Sequence, residues 1–194
     1  MSVKHSTRAN LVNYYRSIPK VILGVGLPGS GKTSALKPFA EKYSHTYISP
    51  DDIRAELLGD TANQSKNREV WDEAYKRTAE ALQEGKTVVF DATFAKGTER
   101  RSFIDFVRAH GADKVQGVFA AVPLEIAGER NRLRERVVPE HAMERMSAML
   151  KDEPPVMEDG FDSLFDINEF QKMNHAETQI DKGVLVKEFK PKLQ

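Results

Sequence analysis

Apolar positions along this chain fall into two kinds of run. Val21–Val25, Thr46–Ser49, Thr87–Phe90 and Val115–Ala121 are short and nearly continuous. A parallel strand covered on both faces needs that pattern. Between these runs the apolar positions recur every three or four residues. Thr33–Lys42 puts Ala35, Leu36, Phe39 and Ala40 on one helical stripe, and Pro38 predicts a kink or an irregular start. Ser65–Glu84 reads as a long helix with Val70, Trp71, Ala74, Tyr75, Thr78 and Leu82 on one side and Gly85 as its stop. Its aromatic stripe is expected to be core rather than a ligand surface. A helix from Gly97 to His110 turns Phe103, Ile104 and Val107 inward and ends at Gly111. Pro123 and Pro139 each open a further helix, the second with an apolar stripe of Met143, Met146, Met149 and Leu150. Residues 59–66 read as a loop, 151–160 as an acidic loop, and Phe161–Ile167 as a last core strand or its approach.

Strand and helix therefore alternate, which predicts an α/β fold with a central parallel β-sheet flanked by helices on both faces. The domain spans residues 19–168. Residues 1–18 form an appended segment, with Leu11, Val12, Tyr14 and Tyr15 on a short amphipathic turn. Residues 169–194 add a C-terminal helix and a short strand at Val184–Val186, packing on the same domain.

Composition changes this picture little. The 194 residues are 40% hydrophobic and 30% charged, as in an ordinary globular domain. Lys plus Arg balances Asp plus Glu at 29 each, so a nucleic-acid partner would need a local basic surface. The chain has no cysteine, which excludes disulfides and fits a cytoplasmic location. No stretch approaches the ~18 apolar residues of a membrane span. The five histidines are scattered without ligand spacing.

Chemistry concentrates first at the end of the leading strand. Gly26-Leu27-Pro28-Gly29-Ser30-Gly31-Lys32-Thr33 meets the pattern G-x-x-x-x-G-K-[ST] in full. Residues without Cβ atoms let backbone N–H groups turn in around a phosphate chain. The helix that follows, through Lys32, Thr33 and Ser34, adds its unpaired N–H groups and the positive end of its dipole. Lys32 can reach the β- and γ-phosphates, and the Thr33 hydroxyl can ligate Mg²⁺. The pattern implies a bound nucleoside triphosphate, ATP or another, with Mg²⁺.

Two carboxylate positions compete between structural and chemical roles. In Ser49-Pro50-Asp51-Asp52-Ile53-Arg54, Ser49 can cap a helix with Asp52 closing a capping box. Asp51 and Arg54, three apart, share a helix face at the end of the second strand, where open α/β sheets place their sites. The third strand ends in Asp91, which either helps hold Mg²⁺, as such acids do beside phosphate loops, or caps the next turn. Arg100 and Arg101 near a helix start oppose its dipole, which suits either a functional use or solvated surface arginines. Arg130, Arg132, Arg134 and Arg136 alternate within seven residues. They read either as a mobile lid over phosphates or as a surface helix paired with Glu129 and Glu135.

Taken in order, four segments resemble the kinase domain of 5′-polynucleotide kinases, within the zeta-toxin-like group of small P-loop kinases. They are GLPGSGKT, PDDIR, FDAT with GTERR, and ERNRLRERVVP, followed by an ending similar to the family's P…EGF. The resemblance implies a P-loop kinase fold with an arginine-rich lid, covering about residues 20–167. It implies transfer of the γ-phosphate of ATP to the 5′-hydroxyl of single-stranded or end-exposed DNA or RNA. Asp51 would be the general base, and Arg54 would bind the substrate strand near its reacting end. Lys32 and Thr33 would hold phosphates and Mg²⁺. Arg134 would be the lid arginine on the donor phosphates, with Arg130 nearer the nucleotide base and Arg136 a second lid candidate. Asp91 and Arg101 would stand on the acceptor side, with Arg100 an alternative to Arg101. No D-x-D-x-T phosphatase motif is present, so the likeness is to the kinase half of the bifunctional enzymes. Two rival readings are a kinase for a small molecule on the same scaffold and a nucleotide-binding switch without catalysis.

Overall fold

The computed structural model describes residues 20–60 and 63–181. The segment at 1–18 and the strand expected at Val184–Val186 lie outside the described residues. Five parallel strands form one sheet: β1 (Lys20–Gly26), β2 (Thr46–Ile48), β3 (Val88–Asp91), β4 (Lys114–Ala120) and β5 (Ser163–Asp166), in the order β2-β3-β1-β4-β5. Among the described residues, seven α-helices connect or follow them: α1 (Lys32–Lys42), α2 (Pro50–Leu58), α3 (Asn67–Gln83), α4 (Gly97–Ala109), α5 (Leu124–Arg132), α6 (Glu140–Asp152) and α7 (Ile167–Asp181).

The strand order follows from burial. β1 is the central strand and is buried from Val21 to Gly26, pairing β3 on one side and β4 on the other. Because strand side chains alternate, its residues feed two cores. Val21, Leu23 and Val25 join Val88 and Phe90 in the larger core with residues of α3, α4, α5 and α6. Ile22 joins Val89, Val118 and Ala120 in the smaller one under α1 and α7. Helices therefore cover both faces, as the continuous apolar runs require. Between β3 and β4, which pair on opposite sides of β1, the strand order switches direction. The phosphate-loop candidate emerges from β1 at that switch point, where doubly wound sheets open their crevice.

Two local expectations are corrected. Ser49 Oγ accepts from the Asp52 N–H at 3.4 Å, so the N-cap forms. The Asp52 carboxylate does not close a capping box but takes Lys37 Nζ at 3.1 Å. Arg100 is not a solvated surface arginine: it is 1% exposed. It donates to the Asp159 carboxylate at 2.6 Å and to the carbonyls of Phe94, Ala95, Glu153 and Pro154. One guanidinium thereby ties the loop after β3 to the end of α6 and to the 3₁₀ turn at Met157–Asp159.

Candidate active site

The loop after β1 keeps its shape through glycine. Gly29 has φ +78°, and a Cβ there would lie 2.3 Å from the Ala127 carbonyl of α5. Gly26 and Gly31 also have positive φ. Lys32, buried under this loop, donates to the carbonyls of Gly26 at 2.7 Å and Leu27 at 2.9 Å. The first intrahelical bond of α1 is Ala35 N to Gly31 O at 3.2 Å. The N–H groups of Lys32, Thr33 and Ser34 precede it and are available to an anion. A triphosphate fits this cradle: Pro28 to Ser34 line one continuous cleft of about 1600 Å³ with Asp51, Arg54, Arg130 and Arg134.

Burial pushes the Lys32 ammonium down to about 8, opposed by Asp91 and assisted by Arg134. At pH 9 the free protein has largely lost this proton. A bound polyanion favours the charged form, so nucleotide binding takes up a proton and weakens as pH rises above about 8. Calorimetry at pH 9 in two buffers of different ionisation enthalpy should give proton uptake. Identical binding enthalpies in both buffers would contradict it.

Asp91 stands on the loop side of the site. Its Oδ2 accepts from the Thr33 hydroxyl at 2.6 Å and from the Tyr47 hydroxyl at 2.7 Å. Burial and the Asp91 charge both push the Tyr47 hydroxyl up, so Tyr47 is a firm donor that fixes this carboxylate. No cluster of three acidic or histidine ligands occurs among the described residues. Mg²⁺ needs only one or two protein oxygens when phosphates and water complete its shell. Thr33 and Asp91 are the residues that would hold it.

Asp51 gathers the arginines. Its Oδ1 accepts from Arg54 Nη1 at 2.7 Å and from Arg136 Nη1, and its Oδ2 lies 3.5 Å from Arg134 Nη2. Arg54 is 3% exposed, and its Nη2 donates to Asn67 Oδ1 at 2.8 Å. Helix α5 ends at Arg132, so Arg134 and Arg136 belong to the turn beyond it and not to a helix face. Asn131 closes that turn: its amide donates to the Val138 carbonyl at 2.8 Å and accepts the Val138 N–H at 3.1 Å. Arg130 lines the cleft from α5. Arg101 does not line it: its Nη1 is on Asp159 at 2.9 Å, beside the buried Arg100.

The family model described as an AAA domain matches residues 21–154, more than half of the chain. The chain belongs to this AAA-domain family. It is also 27% identical over 128 residues to a protein of Acanthamoeba polyphaga mimivirus named as a bifunctional polynucleotide phosphatase/kinase. That match covers 64% of this chain and 26% of the viral protein, so the chain spans about a quarter of the relative's length. Among solved structures, a chain of the Pnkp1/Rnl/Hen1 RNA repair complex superposes with TM-score 0.62 at 21% identity. The match covers 78% of this chain and 47% of that one. Shikimate kinase from Acinetobacter baumannii superposes with TM-score 0.54 at 16% identity, covering 90% and 99%. The AAA-domain chain thus has the fold of the P-loop kinases.

Three residues that hold this site were not singled out in the sequence for that role: Tyr47, Asn67 and Asn131. Tyr47 and Asn67 carry no local signal, because each acts on a side chain distant in sequence. Asn131 interrupts an arginine series, and only the turn it closes reveals its use.

Proposed function

We propose that this chain transfers the γ-phosphate of ATP to the 5′-hydroxyl end of DNA or RNA, with Mg²⁺ and with Asp51 as general base. The observation that carries this reading is the meeting of one carboxylate and three guanidiniums, Asp51 with Arg54, Arg134 and Arg136, in the same cleft as Lys32 and Thr33. A nucleotide switch has no need of a carboxylate on the acceptor side of its loop. A hydroxyl becomes a competent nucleophile when a carboxylate takes its proton late in transfer. Asp51 Oδ2, which has only the longer Arg134 contact, is the oxygen left for that hydroxyl. The proton passes to Asp51 as the acceptor oxygen bonds to the γ-phosphorus. The bond from that phosphorus to the β,γ-bridging oxygen breaks, and ADP leaves.

Lys32, Arg134 and Arg130 would hold the donor, and their charge offsets the charge on the transferred oxygens. Mg²⁺ at Thr33 and Asp91 would supply further neutralisation. Arg54 would orient the acceptor end and hold Asp51 in place. The likeness to a protein named as a polynucleotide phosphatase/kinase supports a nucleic-acid acceptor. A cleft of about 1600 Å³ exceeds the ~300–1,000 Å³ of an ordinary small-ligand pocket, which suits a donor and part of a strand together.

A small-molecule acceptor is the second reading, favoured by the superposition on shikimate kinase, which covers more of both chains at a lower TM-score. γ-Labelled ATP, Mg²⁺ and an oligonucleotide with a free 5′-hydroxyl decide between them, beside the same strand already 5′-phosphorylated. Label on the first alone is expected, and label on neither would overturn the proposal. Strand affinity should also fall steeply between 50 and 200 mM salt, because phosphate contacts release counterions. A salt-independent acceptor KM would favour the small molecule.

A further inference from the structure

The aromatic stripe of α3 is core on one edge and cleft on the other. Trp71 and Tyr75 both pack partly buried against the larger core, and both line the cleft. Asn67, Trp71 and Tyr75 are spaced four apart, so they share one helix face with about 6 Å of rise between neighbours. The face starts at the reacting centre, because Asn67 holds Arg54, which holds Asp51. Trp71 is locked from behind, stacked on Phe90 at 6.1 Å and edge-on to Phe94 at 5.9 Å. Its rotamer is therefore set before any ligand arrives. Arg145 of α6 lines the same cleft, is exposed, and makes no ion pair with any described residue. Strand order separates Trp71 and Tyr75 from the donor side, while Arg145 reaches the cleft from α6, which follows β4. Residues of α3 and the segment after β3 lie on the β2–β3 side of the loop, whereas Arg130 and α7 follow β4 and β5.

We infer that Trp71, with Tyr75 beside it, is a stacking platform for a nucleobase at the 5′ end of the acceptor strand, with Arg145 taking a backbone phosphate. This rests on the strand-kinase reading above. Bases stack on aromatic rings without sequence preference, and a guanidinium on the backbone completes such a grip. A small hydroxylic acceptor would use neither. The platform makes the site demand a base as well as a hydroxyl.

Trp71 is the sole tryptophan of the chain, so its fluorescence reports on this platform directly. The full chain is titrated with a 5′-hydroxyl oligonucleotide and with the same strand made abasic at its 5′-terminal residues. Phosphoryl transfer to each is followed in parallel with labelled ATP. Quenching by the base-bearing strand and little by the abasic one is expected. Equal quenching by both, or none by either, overturns the platform even if label is transferred. Selective quenching without transfer keeps the platform and overturns the kinase reading. Trp71→Leu should raise the acceptor KM on the order of tenfold to a hundredfold, with the KM for ATP moving far less. Since Trp71 also packs on Phe90 and Phe94, Arg145→Gln is the companion variant. It should raise the acceptor KM and flatten its salt dependence, and an unchanged salt slope would remove Arg145 from the platform.

Discussion

Asp51→Asn should lower phosphoryl transfer on the order of 10²- to 10⁴-fold while leaving ATP binding near its parental value. Asparagine keeps the shape of the side chain and can still accept from Arg54. It cannot take up the proton of an attacking hydroxyl. The loss should fall on kcat, because the nucleotide would be held chiefly by the backbone of residues 26–34 and by Lys32, none of which is bonded to Asp51, and of the donor arginines only Arg134 touches Asp51, at 3.5 Å. Single-turnover transfer, with nucleotide affinity measured separately, separates the two effects. A variant that transfers phosphate at a near-parental rate would remove Asp51 from the role of base. A variant that loses ATP binding as well would point to a site dependent on the arginine cluster as a whole.

Arg100→Ala should cost on the order of 3–5 kcal/mol of stability, the largest effect expected of a residue outside the cleft. The reason is what it leaves behind. Asp159 is 3% exposed, and after the substitution its carboxylate keeps the half-exposed Arg101 as its one cation, with the Val156 N–H at 3.4 Å. The carbonyls of Phe94, Ala95, Glu153 and Pro154 lose their donor at the same time. Each unmade buried bond costs more than the made bond contributes. Urea unfolding would register the loss as a lower midpoint at an unchanged slope. Arg100→Met combined with Asp159→Leu should be less harmful than Arg100→Ala alone, since it removes the stranded charge. A loss below about 1 kcal/mol for Arg100→Ala would mean that the buried pair is not what holds α4 against the end of α6.

These two residues mark where local pattern reading works and where it stops. Asp51 and Arg54 were legible because the chemistry is local: three residues apart at a helix start put both groups on one face. Arg100 offered only an oddity, a cation near a helix N-terminus. Its partner Asp159 is 59 residues away, in a loop whose acidic composition reads as surface. The helical spacing of Trp71 and Tyr75 predicts core, and they do pack on the core. Spacing alone cannot say that one edge of each ring meets the cleft. Asp91 was open between metal, cap and acceptor roles. Its bond to Thr33, across 58 residues, sets it at the loop.

By itself the sequence determined the elements and the donor loop. Continuous apolar runs demand strands covered on both faces, and the glycines and lysine of 26–33 leave one geometry for the backbone. Strand order, and so the side of the loop on which each segment falls, required the packed sheet. So did the convergence of Arg134 and Arg136 on Asp51, 83 and 85 residues from their targets in the chain. That meeting depends on a helix ending at Arg132 and a turn closed by Asn131 and Val138, and no short-range pattern encodes where such a turn will point.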